Sequence, residues 1–449
     1  MLTIPKHPQI ASSDIPKLDH CSSQTILNYF ENSWNLEETL FKSLISEDTF
    51  YLNPDSLRNK LIFYLGHSAV FYINKLISVG LLENRINPQY EILFELGVDP
   101  ETPAELEAAT KDIVWPAVSQ VWQYREKAKS AITKVIENTP LNLPIRPQHP
   151  LWALLMGIEH SRIHFETSSM LLRQLPVHKL QRPENWNYAP TNGKPPDNQM
   201  RVIPGGVVKI GKKEHDFTFG WDSEYGSLEV EVKPFLASEN LITNGEFLEF
   251  VKAGGYENVE YWNVESWQWK QLYNVQHPKF WIPENNSKYR YRATFDEIDL
   301  PLDWPVEVNY YEAMAYCCWK GKGIRLMTEA EWNQALKTSE DSSLSNNYNL
   351  NIQFISPSPV GMFADNKSGI SDLRGNVWEW LRDTFYPLPG FKTHHLYEDQ
   401  SAPFFDNNHQ MMLGGSWATN GTMALSCYRN WFRPYFYQHV GFRIAESLD

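Results

Sequence analysis

Two histidines four residues apart, His160 and His164, stand in the run His160-Ser161-Arg162-Ile163-His164-Phe165-Glu166. On a helix, such residues project from one face, one turn above the other. Two neutral imidazoles so placed can take adjacent positions on one transition-metal ion. A third histidine, His67, interrupts the apolar segment Tyr64-Leu65-Gly66-His67-Ser68-Ala69-Val70-Phe71. If the two helices pack together, three rings can meet at one point. The ordinary alternative for a ring in such apolar surroundings is a hydrogen-bonded core histidine. Glu166 lies two residues past His164, so helical phase turns it away from the two rings by roughly half a turn. It is expected outside the ligand set, orienting a ligand or touching substrate. A plain helix-face carboxylate, paired with Arg162 or solvent, is the other reading.

The elements that must position these residues are helical. Residues 22–44 carry Ile26, Leu27, Phe30, Trp34, Leu40 and Leu44 at helical spacing. Residues 55–82 repeat the pattern, with Asp55 as an N-terminal acid. Residues 103–136 form a third segment that Pro116 should kink or divide. A fourth opens after His149-Pro150 and runs over residues 151–172. Four long amphipathic segments with one long crossover predict a four-helix bundle over residues 1–181, and such bundles build metal sites from facing helices. Residues 182–206 hold Pro183, Pro190, Pro195, Pro196 and Pro204 and are expected to be a linker packed against both domains. Residues 207–449 change character, with short strand-like pieces, many turns and dense aromatics. Helices are expected there only over residues 244–253, 311–320 and 329–336. The fold class is a helical bundle followed by a compact α+β domain with long ordered loops.

Composition bounds the function. The chain has 449 residues, 42% of them hydrophobic, so a sizeable core can be buried. A formal net charge of -14 argues against a nucleic-acid partner, because phosphate contacts need clustered Lys and Arg. No apolar run is long enough to span a bilayer. Residues 1–17 lack the apolar stretch of a signal peptide. Cys21, Cys317, Cys318 and Cys427 form neither a disulfide framework nor a zinc-type pair. A reducing cytoplasm is the expected location.

Motifs spread along the second half carry a family resemblance. Ile242-Thr243-Asn244-Gly245-Glu246-Phe247 opens it. Pro305-Val306-Glu307-Val308 follows, with Tyr311-Glu312-Ala313 and Ala315-Tyr316-Cys317 behind it. Then come Arg325-Leu326-Met327-Thr328-Glu329-Ala330-Glu331-Trp332 and Gly375-Asn376-Val377-Trp378-Glu379-Trp380. Gly414-Gly415-Ser416-Trp417 and Gly441-Phe442-Arg443 close it. Together they resemble the formylglycine-generating-enzyme/sulfatase-modifying-factor domain, a relative of C-type lectin domains. The first half resembles the DinB-like bundle, whose members carry three histidines for a metal. The combination, over nearly the whole chain after about residue 20, resembles the non-haem iron sulfoxide synthases, which join a thiol to a histidine ring using O2.

The stretches 149–169, 219–226 and 432–439 look more like the ovothiol branch of that family than the ergothioneine branch. Bacterial ergothioneine-branch members commonly carry Gln where this chain has Ile163, and Asp where it has Phe432. The resemblance implies Fe(II) held by His67, His160 and His164, with O2 as co-substrate. It implies coupling of L-cysteine to L-histidine, giving 5-histidylcysteine sulfoxide. The alternative is the ergothioneine-branch reaction, in which a thiol is joined to C2 of Nα-trimethylhistidine. Ovothiol-branch members often continue into a methyltransferase domain, so a separate methyltransferase is an expected partner.

The family also uses an active-site tyrosine from a loop of the second domain. Tyr397 is the candidate proton donor and Tyr386 its rival. Glu166, Arg429, Asn430, Trp431, Phe432 and Arg433 are candidate substrate residues, since Arg pairs with carboxylates in bidentate fashion. A structural salt bridge is the equal alternative for Arg429. Substrate choice is expected to reside in the second domain. Other readings are formylglycine generation, which needs reactive cysteines, a zinc-dependent thiol transferase, and a non-catalytic binding protein on the same folds.

Overall fold

A computed structural model describes residues 14–95, 97, 100–213, 215–285, 288–339, 348–363 and 369–448. The chain divides into two compact units. Among the described residues, one comprises residues 14–185 together with 215–219, and the other holds residues 186–213 and 220–448.

The first unit is helical. Its helices are α1 (Ser23–Phe41), α2 (Leu61–Ser78), α3 (Pro88–Leu93), α4 (Pro103–Thr110), α5 (Val118–Asn138) and α6 (Leu151–Arg173). The Ser22 hydroxyl caps α1 by accepting from the Thr25 amide. The Asn87 and Thr102 side chains cap the two short helices, each with proline just inside. The expected third segment is divided near Pro116 into α4 and α5, as a residue lacking an amide donor and clashing with the preceding turn requires. In the bundle, α2 packs on α6 and α5, and α1 packs on the same two helices. The order around the bundle is therefore α1, α6, α2, α5, and α3 and α4 lie within the long connection from α2 to α5.

Two glycines allow the close packing around α2. A Cβ on Gly157 of α6 would lie 2.3 Å from the Tyr72 ring, and one on Gly66 of α2 would lie 2.7 Å from the Phe94 ring. Charge is also buried here. Glu37 of α1 accepts from Ser68 Oγ of α2 at 2.6 and 2.7 Å and from Arg125 Nη2 of α5 at 2.9 Å. Arg125 Nη1 donates to the Leu65 carbonyl at 2.8 Å. Both charged side chains are fully buried, so each depends on the other.

The second unit carries β1 (Met200–Ile203), β2 (Gly206–Ile210), β3 (Leu228–Val232), β4 (Phe235–Ser238), α7 (Asn244–Lys252), α8 (Val264–Leu272), β5 (Trp281–Pro283), β6 (Tyr289–Arg292), β7 (Glu297–Asp299), α9 (Tyr310–Lys320), α10 (Glu329–Ser339), β8 (Trp378–Thr384), β9 (Gln410–Leu413), β10 (Asn430–Phe432), β11 (Val440–Gly441) and β12 (Ala445–Ser447). The strands form four small sheets, in the orders β1-β4-β12, β10-β9-β8-β11, β2-β3 and β5-β6-β7. The proline-rich stretch differs from the expected linker. From residue 186 it belongs to this unit, and β1 pairs antiparallel with β4, so its backbone is satisfied by the sheet. Helix α8 was not expected. Its signal is the Asn263 side chain, which accepts from the Ser266 amide.

The Gly375-Asn376 motif is a structural knot. Asn376 has φ 67° and its buried side chain accepts from the Ser358 amide and donates to the Ser358 carbonyl. Its backbone carbonyl accepts from the Trp417 amide. Arg443, also fully buried, pairs with Glu379 and donates to the carbonyls of Ser238, Glu239 and Ser371.

Arg125→Met should destabilise the helical unit by about 3 to 5 kcal/mol, because it strands the Glu37 carboxylate in the core. Gly157→Ala should cost about 1 to 3 kcal/mol through overpacking against Tyr72. Urea unfolding followed by circular dichroism at helical wavelengths measures both; unchanged midpoints would contradict the packing described.

Candidate metal centre

His67 lies in the second turn of α2, and His160 and His164 lie in the middle of α6. The packing of these helices brings the three rings together. Ring centroids are 5.0 Å apart for His67 and His160, 4.6 Å for His67 and His164, and 4.4 Å for His160 and His164. One nitrogen from each ring lies within 4.8 Å of the others. Among the described residues this is the one such cluster of three or more histidine, cysteine or carboxylate groups.

Burial is the dominant cause that pushes the pKa of each imidazole down. His67 falls to about 4, although its hydrogen bond to Phe94 works the other way. His160 and His164 fall well below the ordinary value. After burial, His160 feels His164, His67 and Lys75, and His164 feels His67 and Arg58. All three rings are therefore neutral at neutral pH, the protonation state a metal ligand needs.

Aromatic neighbours and one carbonyl hold the rings. His67 Nδ1 lies 2.6 Å from the Phe94 carbonyl oxygen. A carbonyl only accepts, so Nδ1 carries the proton and Nε2 keeps a free lone pair. Phe63 stacks on His67 at 4.8 Å, and Phe71 stacks on His160 at 3.6 Å with the rings nearly parallel. His164 Nδ1 is buried without a hydrogen-bond partner. An orphaned nitrogen beside two more neutral imidazoles is costly in a protein core and suits a metal-binding role. The donor set is that of imidazole-rich iron, copper, nickel or zinc sites, so the residues fit iron. The Glu166 carboxylate is not part of the cluster, although the residue is buried on α6.

No sequence signal marked the Phe94 carbonyl, because backbone acceptors are supplied by any residue. The stacking Phe71 sits four residues past His67 on α2. That spacing was readable, but its contact with α6 was not.

The remaining candidates lie in the second unit. Arg429 is 2% exposed, and its guanidinium is fully engaged. Nε and Nη2 donate to the two Glu329 carboxylate oxygens at 2.7 and 3.0 Å, and Nη1 donates to the Ser223 and Tyr386 carbonyls. This is the structural salt bridge that sequence reasoning left open. Tyr386 Oη donates to Glu329 Oε2 at 2.5 Å, and burial together with that carboxylate holds its phenol far above the ordinary range. Tyr397 is half-buried in a turn, packed edge-on against Trp221 at 6.4 Å. Burial, then Asp399, pushes its phenol up to about 12. Asn430, Trp431 and Phe432 form β10, where Trp431 stacks on Phe385 at 4.0 Å, and Arg433 follows half-buried. The rings of His394 and His395 stack on each other and are not members of the three-histidine cluster.

Residues 187–448 match the sulfatase-modifying factor enzyme 1-like domain. The "Hercynine oxygenase" of Mycobacterium tuberculosis is 33% identical over 256 residues, covering 53% of this chain and 59% of that protein. The protein of the same name from Mycolicibacterium thermoresistibile is 28% identical over 400 residues, covering 81% of this chain and 86% of its own length. "Ergothioneine biosynthesis protein 1" of Neurospora crassa is 24% identical, over 98% of this chain and 60% of its own length. The chain thus spans less than two thirds of the first and third of these relatives. The family model covers more than half of the chain, which therefore belongs to the sulfatase-modifying factor enzyme 1-like family, joined here to a helical unit with three histidines at one point.

Proposed function

We propose that this chain is a non-haem iron oxidoreductase that uses O2 to join a thiol sulfur to a carbon of a histidine-type imidazole, yielding a sulfoxide. The observation that carries this reading is the cluster of three neutral imidazoles, two buried and one half-buried, in a chain whose relatives are named hercynine oxygenase. The helical unit is read as a DinB-like metal-binding bundle. His67, His160 and His164 would hold Fe(II), which when bound supplies O2 activation and favours the deprotonated form of a coordinated thiol.

The chain's own residues have separable tasks. Phe94 fixes the His67 tautomer through its carbonyl, and Phe63 and Phe71 fix ring planes and keep water from two of the rings. Tyr397 serves as the proton donor: with its phenol near 12 it stays protonated at neutral pH. Tyr386 is the weaker candidate, because its hydroxyl is committed to Glu329. Glu166, Asn430, Phe432 and Arg433 are read as substrate-facing. Trp431 supports them from the core. Arg429 anchors the base of that segment through Glu329. The substrates are small molecules. Among the described residues no helix is long and apolar enough to cross a membrane. We place the enzyme in the cytoplasm, where its four free cysteines would stay reduced.

Two branches of this chemistry differ in substrate. The relatives' names favour Nα-trimethylhistidine as the ring substrate, with attack at C2. L-cysteine and L-histidine joined at C5 form the second reading, which the identities of Ile163 and Phe432 favour. Aerobic incubation with Fe(II) and each pair of thiol and ring substrate, followed by NMR of the product, distinguishes them by which ring proton survives. A product that keeps its C5 proton establishes the first branch, and one that keeps its C2 proton establishes the second. No oxygen uptake with any pair would defeat the enzyme reading.

His67→Ala and His164→Ala should each abolish stoichiometric iron after anaerobic loading with Fe(II), measured by elemental analysis, while helical content is retained. Tyr397→Phe should keep its iron and lower the rate of sulfoxide formation about 10²-fold or more. Tyr386→Phe should lower it less.

A further inference from the structure

Outside the histidine cluster, the second unit holds a compact group of a lysine, a cysteine and a carboxylate. Lys212, just past β2, is 5% exposed. Its Nζ lies 3.8 Å from Cys427 Sγ, although the two residues are 215 apart in sequence. Cys427 Sγ in turn donates to Glu224 Oε2 at 3.3 Å.

The group is built rather than accidental. The Lys212 amide donates to the Glu224 carbonyl at 2.7 Å, and the other Glu224 carboxylate oxygen accepts from the Trp221 amide at 2.8 Å. The aliphatic stem of Lys212 lies on Gly220, where a Cβ would come within 2.6 Å of Lys212 Cδ. Only glycine leaves room for it. Cys427 itself is half-buried, so a small oxidant can reach its sulfur.

We propose that Lys212 and Cys427 form an oxidative cross-link in which one oxygen atom bridges Nζ and Sγ. The oxidant is a peroxide. One peroxide oxidises the Cys427 thiol to a sulfenic acid and leaves as one water. A second accepts two further electrons as the nitrogen–oxygen bond forms, with one hydrogen lost from the amine and one from the sulfenic acid, and leaves as two waters. Lysine amine, cysteine thiol and two peroxides thus give the bridge and three waters. Glu224 Oε2 accepts the thiol hydrogen bond and so holds the sulfur beside the amine. The 3.8 Å distance places the amine within reach of the oxidised sulfur.

The bridge would fasten the segment just past β2, whose Lys212 amide holds the turn Asp222–Glu224, to the lead-in of β10. That turn supplies the Ser223 carbonyl to Arg429 at 3.2 Å. Oxidation would therefore brace the same segment that holds the Arg429–Glu329 pair.

The test treats the full chain, in a Cys318→Ser background that removes the exposed thiol, with excess hydrogen peroxide. After alkylation and proteolysis, mass spectrometry should find the peptides containing positions 212 and 427 joined, with one oxygen gained and two hydrogens lost. Dithiothreitol should separate them. The joined species should fall to background in Cys427→Ser, in Lys212→Arg and in Lys212→Met, each verified as folded by circular dichroism. Over-oxidation of Cys427 with Lys212 unlinked would overturn the proposal. So would a joined species that persists in the Lys212 variants.

Discussion

The withdrawal of three imidazole rings from water governs the centre of the helical unit. A ring nitrogen in a protein core costs free energy whether it is charged or left without a partner. Removing the charge is the lesser cost, and burial accordingly leads the causes that lower all three pKa values. The same burial leaves lone pairs facing one another within 4.8 Å. Close approach of α2 and α6 is the precondition, and Gly157 supplies it by letting the Tyr72 ring lie against the α6 backbone. A side chain there would push the helices apart and separate His67 from the pair on α6.

His67 and His160 are each bracketed by buried polar contacts that fix the rotation of their helices. Ser68 follows His67 and binds Glu37, while Arg125 holds the Leu65 carbonyl two residues earlier. Glu159 precedes His160 and accepts from the Tyr29 hydroxyl at 2.5 Å; Arg162, two residues on, donates to the Tyr29 carbonyl and lies over the Tyr29 ring. Apolar packing tolerates small slides and rotations, but a buried charge does not, because moving it strands its partner. The buried contacts of α1 and α5 therefore set which faces of α2 and α6 meet. The helices that carry the imidazoles are oriented by residues that do not touch the rings, while Phe63, Phe71 and the Phe94 carbonyl hold the rings themselves.

Much of this was legible in the chain. The four-residue spacing of His160 and His164, and the apolar run around His67, pointed to one metal site. Helical phase placed Glu166 outside it. What was not legible depended on tertiary contacts. The acceptor on His67 Nδ1 is a backbone carbonyl 27 residues away. The proline-rich stretch looked like a linker because proline lowers strand propensity, yet residues 200–203, between Pro196 and Pro204, pair with β4. Arg429 looked equally suited to a substrate carboxylate and to an internal one. Only the fold decides, by bringing Glu329 at the start of α10 within 2.7 Å of it.

Strand geometry sorts the candidate substrate residues further. Side chains alternate across a strand, so within β10 residue 431 faces opposite to residues 430 and 432. Trp431 packs with Phe385 in the hydrophobic core of the second unit. Asn430 and Phe432, paired with Met412 and Gln410 of β9, therefore share the face turned away from that core. Phe432 is also one of the two positions that the sequence reading set against the ergothioneine branch. An aromatic ring there offers apolar surface where an aspartate would offer charge. Arg429 precedes the strand and is tied to Glu329, and that tie fixes the register from which Asn430 and Phe432 project. The arginine then shapes the face by holding the strand, and the residues after it meet whatever the face binds.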